Sequence, residues 1–508
     1  MKKTAALVVL CAVGCVSPLL AQESHSHAAP EKLGTVEFKT SCAPAVQASF
    51  ERAVALLHSF AYTASEQAFR AVADADPRCA MAHWGIAMSH FHQLWQPPEG
   101  AELRQGQDEV DKARLLSAGS TRERQYIEAV AAYYGDSDHL SHALRADAYQ
   151  RAMAEVAGGN PADVEAQIFY ALALIATASA SDRSHANQKR AAEILEPIFR
   201  DRPEHPGVAH YLIHAYDSAE LAPRGLAAAR AYSKIAPSAP HALHMPSHIF
   251  TRLGYWDDSI TSNEAARIAA HQHGDLGEEL HSLDYLVYAY LQRGRAADAK
   301  RIVDHLHAMG VDNGEQFKSS YAATAMPVRL VVERHQWVAG ASLEPLPKSP
   351  PHVTAIVYWA RAMAQSRAGH PEAAESDIGR VEACQQQLQS AGNAYWAKQV
   401  AILGKEARAW QAQASGHADE AVRLLRGAAD EEDAVEKLPV TPGPIVPARE
   451  QLGELLLELK RSQEALREFQ ASLTSTPGRR GALIGASRAA ELTGDTQAAA
   501  KFQAMLTD

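Results

Sequence analysis

The chain has 508 residues, 47% of them apolar and 21% charged, a balance that suits a large folded protein and excludes an intrinsically disordered one. The net charge of −11, without a basic run or stripe, argues against a nucleic-acid partner. Beyond the N-terminus no run is long and apolar enough to span a bilayer.

Lys2 and Lys3, followed by the apolar stretch 4–16, have the form of an export signal, with cleavage after Ala21. Residues 1–21 are therefore expected to be removed and the mature chain to be periplasmic or secreted. Ala12-Val13-Gly14-Cys15 is a poor lipobox and leaves lipid anchoring at Cys15 as the alternative. Residues 22–45, with Ser, His, Ala and Pro, read as a linker. Cys42 stands before the first helical hairpin and Cys79 after it, so an oxidising compartment would allow a disulfide that closes the hairpin; two buried thiols are the alternative. Cys384 has no evident partner.

From residue 46 the pattern is helical throughout. Phe50, Ala53, Leu57 and Phe60 recur at helix spacing, then Ala68, Phe69 and Val72, and Asp76-Pro77 ends the hairpin. Ala80, Trp84-Gly85 and Met88 mark the next helix. Gly254-Tyr255-Trp256, Gly294 with Ala299, Gly369 with Ala374, Gly416 with Ala421, the stretch from Arg461 to Pro477, and Gly494 with Ala499 mark further hairpins. In these paired helices, with a small residue at the crossing and Pro at the hairpin end, the chain resembles the tetratricopeptide repeat (TPR) family. The resemblance covers roughly residues 46–508. It implies an all-α, right-handed superhelical solenoid of TPR-like helix-turn-helix repeats, divided here into 46–203, a His-rich centre at 204–342, and 343–508. It implies no reaction, because this repeat serves many roles. Two Pro-rich stretches, 343–351 and 438–447, interrupt the later array, and the second is expected to fold back over the groove.

The centre carries the chemistry. His210 and His214 are four residues apart, as are His244 and His248, and the second pair follows the first by 34 residues, the length of one repeat. Residues four apart share a helix face, so successive repeats would present rows of imidazoles. Forty residues on, His241 maps to His281, His244 to Asp284 and His248 to Tyr288. In the repeat family the first helix of each hairpin lines the concave surface, and the resemblance therefore turns these rows into the groove. Neutral imidazole with a carboxylate suits a divalent transition metal such as Zn, Cu or Fe. The expected ligands are His210, His214, His244 and His248 around one ion, with Asp284 and His281 near it. Asp217, His241, Tyr288 and Arg329 are expected as groove or supporting residues. An open position on such an ion would activate water or bind a small oxidant. The alternative is a metal-free scaffold whose groove binds a peptide or protein partner. His58, His83, His90 and His92 read as core or groove-edge residues. Pro246, inside a first helix, is expected to kink it beside the histidines.

Overall fold

The computed structural model describes residues 31–94, 97–116, 119–311, 314 and 317–506. The expected export signal, Cys15 and the start of the linker lie outside the described residues. Among the described residues there is no strand: the chain is an all-α repeat solenoid in which each helix packs mainly on its neighbours in sequence. That local packing is what TPR-like hairpins require, since one hairpin cannot bury its apolar face alone. The apolar core accordingly runs as consecutive clusters, over residues 33–253, 256–330 and 321–502.

Residues 32–43 are not a free linker. They pack as an irregular strap whose Phe38 is wholly buried against Phe50, Trp84 and Tyr126. Thr35 N–H donates to the Glu204 carbonyl at 2.9 Å, and Ser238 N–H to the Lys32 carbonyl at 3.2 Å. Cys42 and Cys79 are joined by a disulfide that ties this strap to the end of the first hairpin. Cys384 is a buried thiol.

Local chemistry sets the helix ends. Ser120 and Glu123 close a reciprocal capping box at Thr121–Tyr134, and the Asp275 carboxylate accepts from Glu278 N–H at the start of Leu276–Gln292. The central first helix divides at Met245 into Pro240–His244 and Pro246–Leu253, because Pro246 has no N–H to continue the ladder. Gly254 ends the second piece at φ +72°, and a Cβ there would stand 2.4 Å from the Pro477 carbonyl oxygen. Only glycine satisfies both conditions.

Two long-range closures depart from an open solenoid. At one side the Gln47–His58 helix packs on Pro206–Tyr216, and at the other Leu276–Gln292 meets Arg480–Leu492. Between Ala418–Asp433 and Ala448–Glu458, the Pro-rich segment 434–447 crosses back to the centre. Arg329 donates to the carbonyls of Pro444 (2.8 Å) and Ile445 (3.3 Å), and Glu436 N–H donates to the Ala180 carbonyl at 2.9 Å. No helix among the described residues is long and apolar enough to cross a membrane.

Close helix crossings depend on residues without side chains. A Cβ on Gly485 would meet Phe469 Cζ at 2.2 Å, and one on Gly453 would meet the same ring at 2.7 Å. Gly485→Ala should therefore destabilise the C-terminal hairpins by about 1–3 kcal/mol, with Phe469→Leu in the same chain recovering part of the loss. Urea denaturation with hydrogen exchange resolved over 448–505 measures both effects. An unchanged midpoint for Gly485→Ala would show that the crossing can open without cost.

Candidate metal centre

The central histidines form two neighbouring triads rather than one four-histidine site. His210, His214 and His241 each bring a ring nitrogen within 4.8 Å of the others, and His244, His248 and His281 do the same. Each triad takes a pair four residues apart from one first helix, the second pair straddling the break at Met245, and its third member from the next first helix. The Nε2 atoms of His210 and His214 are 3.1 Å apart, and those of His244 and His248 are 3.0 Å apart. The His281 ring lies 4.3 Å from that of His244, and the His241 ring 5.0 Å from that of His210. None of the six is more than 6% exposed.

The outer nitrogens fix the tautomers. Asn263 donates its amide N–H to the Ser259 carbonyl at 2.8 Å, which leaves its Oδ1 to accept from His244 Nδ1–H at 2.7 Å. His248 Nδ1–H donates to Asp217 at 2.9 Å. A carbonyl oxygen and a carboxylate only accept. Both Nδ1 atoms therefore carry hydrogen, and in the neutral rings both Nε2 atoms present lone pairs to each other. His210 Nδ1–H likewise donates to the His58 carbonyl at 2.6 Å, and His241 Nδ1–H to Glu278 at 3.2 Å. In the first triad, however, His214 can donate Nε2–H to His210 Nε2, so that contact can be an ordinary hydrogen bond.

Burial, reinforced by neighbouring imidazoles, holds His210, His214, His244 and His281 well below the ordinary imidazole pKa. Burial also lowers His248, to about 4, against the upward pull of Asp217. The carboxylates around them are held low too, and so stay charged. Burial would raise Asp217, but Lys437 (2.9 Å) and Arg252 (2.8 Å) hold it well below the carboxylate range. Glu278 is held low against burial by Lys318 and His241. The five imidazoles so lowered are neutral donors inside a shell of paired charges.

The other expected residues are placed differently. Asp284, expected as a ligand, belongs to neither triad. It faces Arg329 at 3.8 Å, with no hydrogen bond to either carboxylate oxygen among the described residues, and burial raises its pKa to about 6 against the pull of Arg329. It sits one turn beyond His281, and it is the earlier position that reaches the His244 pair. His241 moves from a supporting role into the first triad. Tyr288 lies beneath the guanidinium groups of Arg329 and Arg479, and Arg329 grips the 434–447 segment. Asp217 stands behind His248.

Four supporting groups escape sequence reading: Asn263, Glu278, Lys437 and the His58 backbone carbonyl. Glu278 reads from the sequence as a favourable acid at a helix start or a base close to His281, not as the partner of His241, and a backbone carbonyl leaves no signature. His58 itself joins a separate buried cluster, in which Glu165 bridges His58 (2.9 Å) and His205 (2.8 Å) while Tyr211 meets His58 Nδ1 at 2.9 Å. Both His58 ring nitrogens and His205 Nε2 are engaged in these contacts, and the three residues also stand close enough to hold an ion. Tyr285 roofs the second triad, its ring 4.8 Å from His244 and its hydroxyl donating to the Thr441 carbonyl at 3.2 Å.

No protein family matches this chain, and no curated protein does so. Among solved structures it is similar to the human IFIT1 dimer with m7Gppp-AAAA, at 12% identity and a TM-score of 0.34, covering 84% of this chain and 89% of that one. It is also similar to the P58(IPK) TPR domain, at 12% identity and a TM-score of 0.23, covering 89% and 99%. For Naa15/Naa10 bound to HypK-THB the identity is 11% and the TM-score 0.25, covering 90% and 69%. Overlaps this loose say nothing about chemistry.

The lowered imidazole values set a pH dependence. Between about pH 6.5 and the folded-state values, the unfolded chain binds protons that the folded chain refuses, so stability rises with pH across that window. The contribution is complete above about pH 6.5 and is lost as pH falls through about 4, His248 alone accounting for about 3 kcal/mol. Asp217 and Glu278, held low, add losses of the same sign at more acid pH. Urea midpoints of metal-free protein should drop steeply from pH 7.5 to pH 4.5, and a flat profile would contradict the buried neutral triads.

Proposed function

We propose that this TPR-like solenoid binds a divalent transition-metal ion through His244, His248 and His281. The observation that carries the reading is the pair of Nε2 lone pairs facing each other at 3.0 Å, each ring locked by an acceptor on its far nitrogen. Two buried lone pairs without a hydrogen between them repel, and a cation between them turns that repulsion into ligation. An all-imidazole set suits Zn, Cu or Fe rather than Mg or Ca. Asn263 and Asp217 are the partners that ligating histidines characteristically use to fix ring orientation. When bound, the ion would supply a Lewis-acidic position beside the Tyr285 hydroxyl.

Metal content of purified protein, measured before and after chelation, tests this. At least one ion per chain should survive gel filtration, and His248→Gln should remove it while helicity is kept. Asn263→Ala, which deletes the acceptor behind His244, should weaken binding about 10- to 100-fold. Unaltered affinity in both variants would sink the assignment.

A second reading, a metal-free scaffold for a peptide or protein partner, is favoured by one feature of the C-terminal half. A cavity of about 570 Å³ opens there among Trp337, Arg367, Trp410, Glu454, Arg480 and Arg488. Arg367 lies 4.2 Å over the Trp410 ring. A protein that elutes free of metal and does not take it up would leave this reading in place of the first.

We further propose that the mature chain works in an exported, oxidising compartment, periplasmic or secreted. The Cys42–Cys79 bridge supports this, because such disulfides persist outside the reducing cytoplasm. N-terminal sequencing of protein recovered from cells should begin at Gln22, whereas a retained Met1 would refute export by this route.

A further inference from the structure

Nothing in the reading above requires the first triad, yet His210, His214 and His241 repeat the construction of the second. Each triad has a pair at four-residue spacing and a third ring from the next first helix. Each also has outer nitrogens tied down. His210 is held by the His58 carbonyl at 2.6 Å and His241 by Glu278 at 3.2 Å, as His244 is by Asn263 and His248 by Asp217. The triads are contiguous. The His214 and His248 rings are 5.9 Å apart, and His241 and His244, one turn apart on the Pro240–His244 helix, are 6.0 Å apart.

We propose that the two triads together form a coupled dinuclear transition-metal centre, three imidazoles to each ion, joined by a small oxygen ligand; this rests on the metal-binding reading of the second triad. Three protein ligands leave each tetrahedral ion one open position, which a shared oxygen ligand would fill. Paired-metal sites place their ions about 3.5–4 Å apart so that one oxygen can touch both. The nearest rings of the two triads are 5.9–6.0 Å apart, so ions held in them would be close neighbours. Burial limits the bridge to a water-sized or diatomic ligand, since the six rings are at most 6% exposed and Tyr285 and the 434–447 segment cover the second triad. With solvent water as the source, the bridge forms when one water binds both ions as hydroxide and its proton leaves to bulk solvent. No oxidation or reduction is involved. Charge also fits. The nearest carboxylates divide between the triads, Glu278 behind His241 and Asp217 behind His248, so each ion has one anion behind its ligands.

The full-length mature protein, loaded with Cu(II) and freed of excess, decides the matter by two readouts: copper per chain by mass spectrometry and the spin count by electron paramagnetic resonance. The expected result is two ions per chain with most of the copper silent, because a single-oxygen bridge couples the two spins. His214→Gln should then hold one ion with the full signal of an isolated Cu(II). His210→Gln, with circular dichroism to check folding, should do the same if His214→Gln fails to fold. One ion per chain in the unaltered protein overturns the dinuclear centre but leaves the second triad's assignment standing. Two ions with full, independent spins overturn the coupling, and so the proposal. No bound copper overturns this inference together with the reading on which it rests.

Discussion

A neutral imidazole has one hydrogen, and the group that takes it decides which way the lone pair points. In the centre of this protein the hydrogens are drawn outward. Asn263 takes that of His244, Asp217 that of His248, the His58 carbonyl that of His210, and Glu278 that of His241. The inward nitrogens are left as donors to whatever lies between them. Burial alone would have produced a cluster of uncharged rings with interchangeable tautomers. The acceptors produce a directed set, and the rest of the architecture exists at this point to deliver them.

That delivery explains the two closures. The His58 carbonyl comes from the first hairpin, 152 residues from His210, and reaches it only because Gln47–His58 packs on Pro206–Tyr216. Gly207 permits the approach, since a Cβ there would stand 2.5 Å from His58 Nδ1. From the other direction the 434–447 segment brings Lys437 to Asp217, which keeps that carboxylate ionised while it is buried. A buried carboxylate without such partners protonates, as Asp284 begins to do with Arg329 only 3.8 Å away and no hydrogen bond among the described residues. The same segment accepts the Tyr285 hydroxyl at the Thr441 carbonyl, so the ring that roofs the second triad and the carboxylate behind His248 are held by one piece of chain. Exclusion of water from the channel strengthens each of these interactions.

Helices, hairpin ends and the two histidine pairs were legible in the sequence because they rest on contacts within a few residues. The spacing of four that aligns His210 with His214 is a property of one helix, and so is the break at Pro246. The division into two triads was not legible. It depends on which turn of one first helix faces which turn of the next: the alignment by forty residues offers both His281 and Asp284, and the packing brings only His281 to the second pair. The supporting acceptors were further out of reach. Asn263 is 19 residues from His244 and Glu278 is 37 from His241, and neither has a periodicity of its own. The 32–43 strap was misjudged because its composition is that of a linker, whereas Phe38, a single large ring, is enough to anchor it.

The row that follows the triads shows where this construction stops and why. Arg329 stands two residues after Pro327, as His248 stands two residues after Pro246, so the register of the centre continues into Phe317–Glu333. The chemistry does not. Asp284 and Tyr288 occupy the places of a further ligand pair, and the guanidinium of Arg329 lies 4.6 Å over the Tyr288 ring and 3.8 Å from Asp284. A guanidinium has five donors and no lone pair to offer a metal. Its donors go instead to the carbonyls of Gly443, Pro444 and Ile445. The next row of the same array, with a cation where an imidazole would be, anchors a covering segment. The boundary of the centre is set by the side chain the register presents, while the helical frame runs on unchanged.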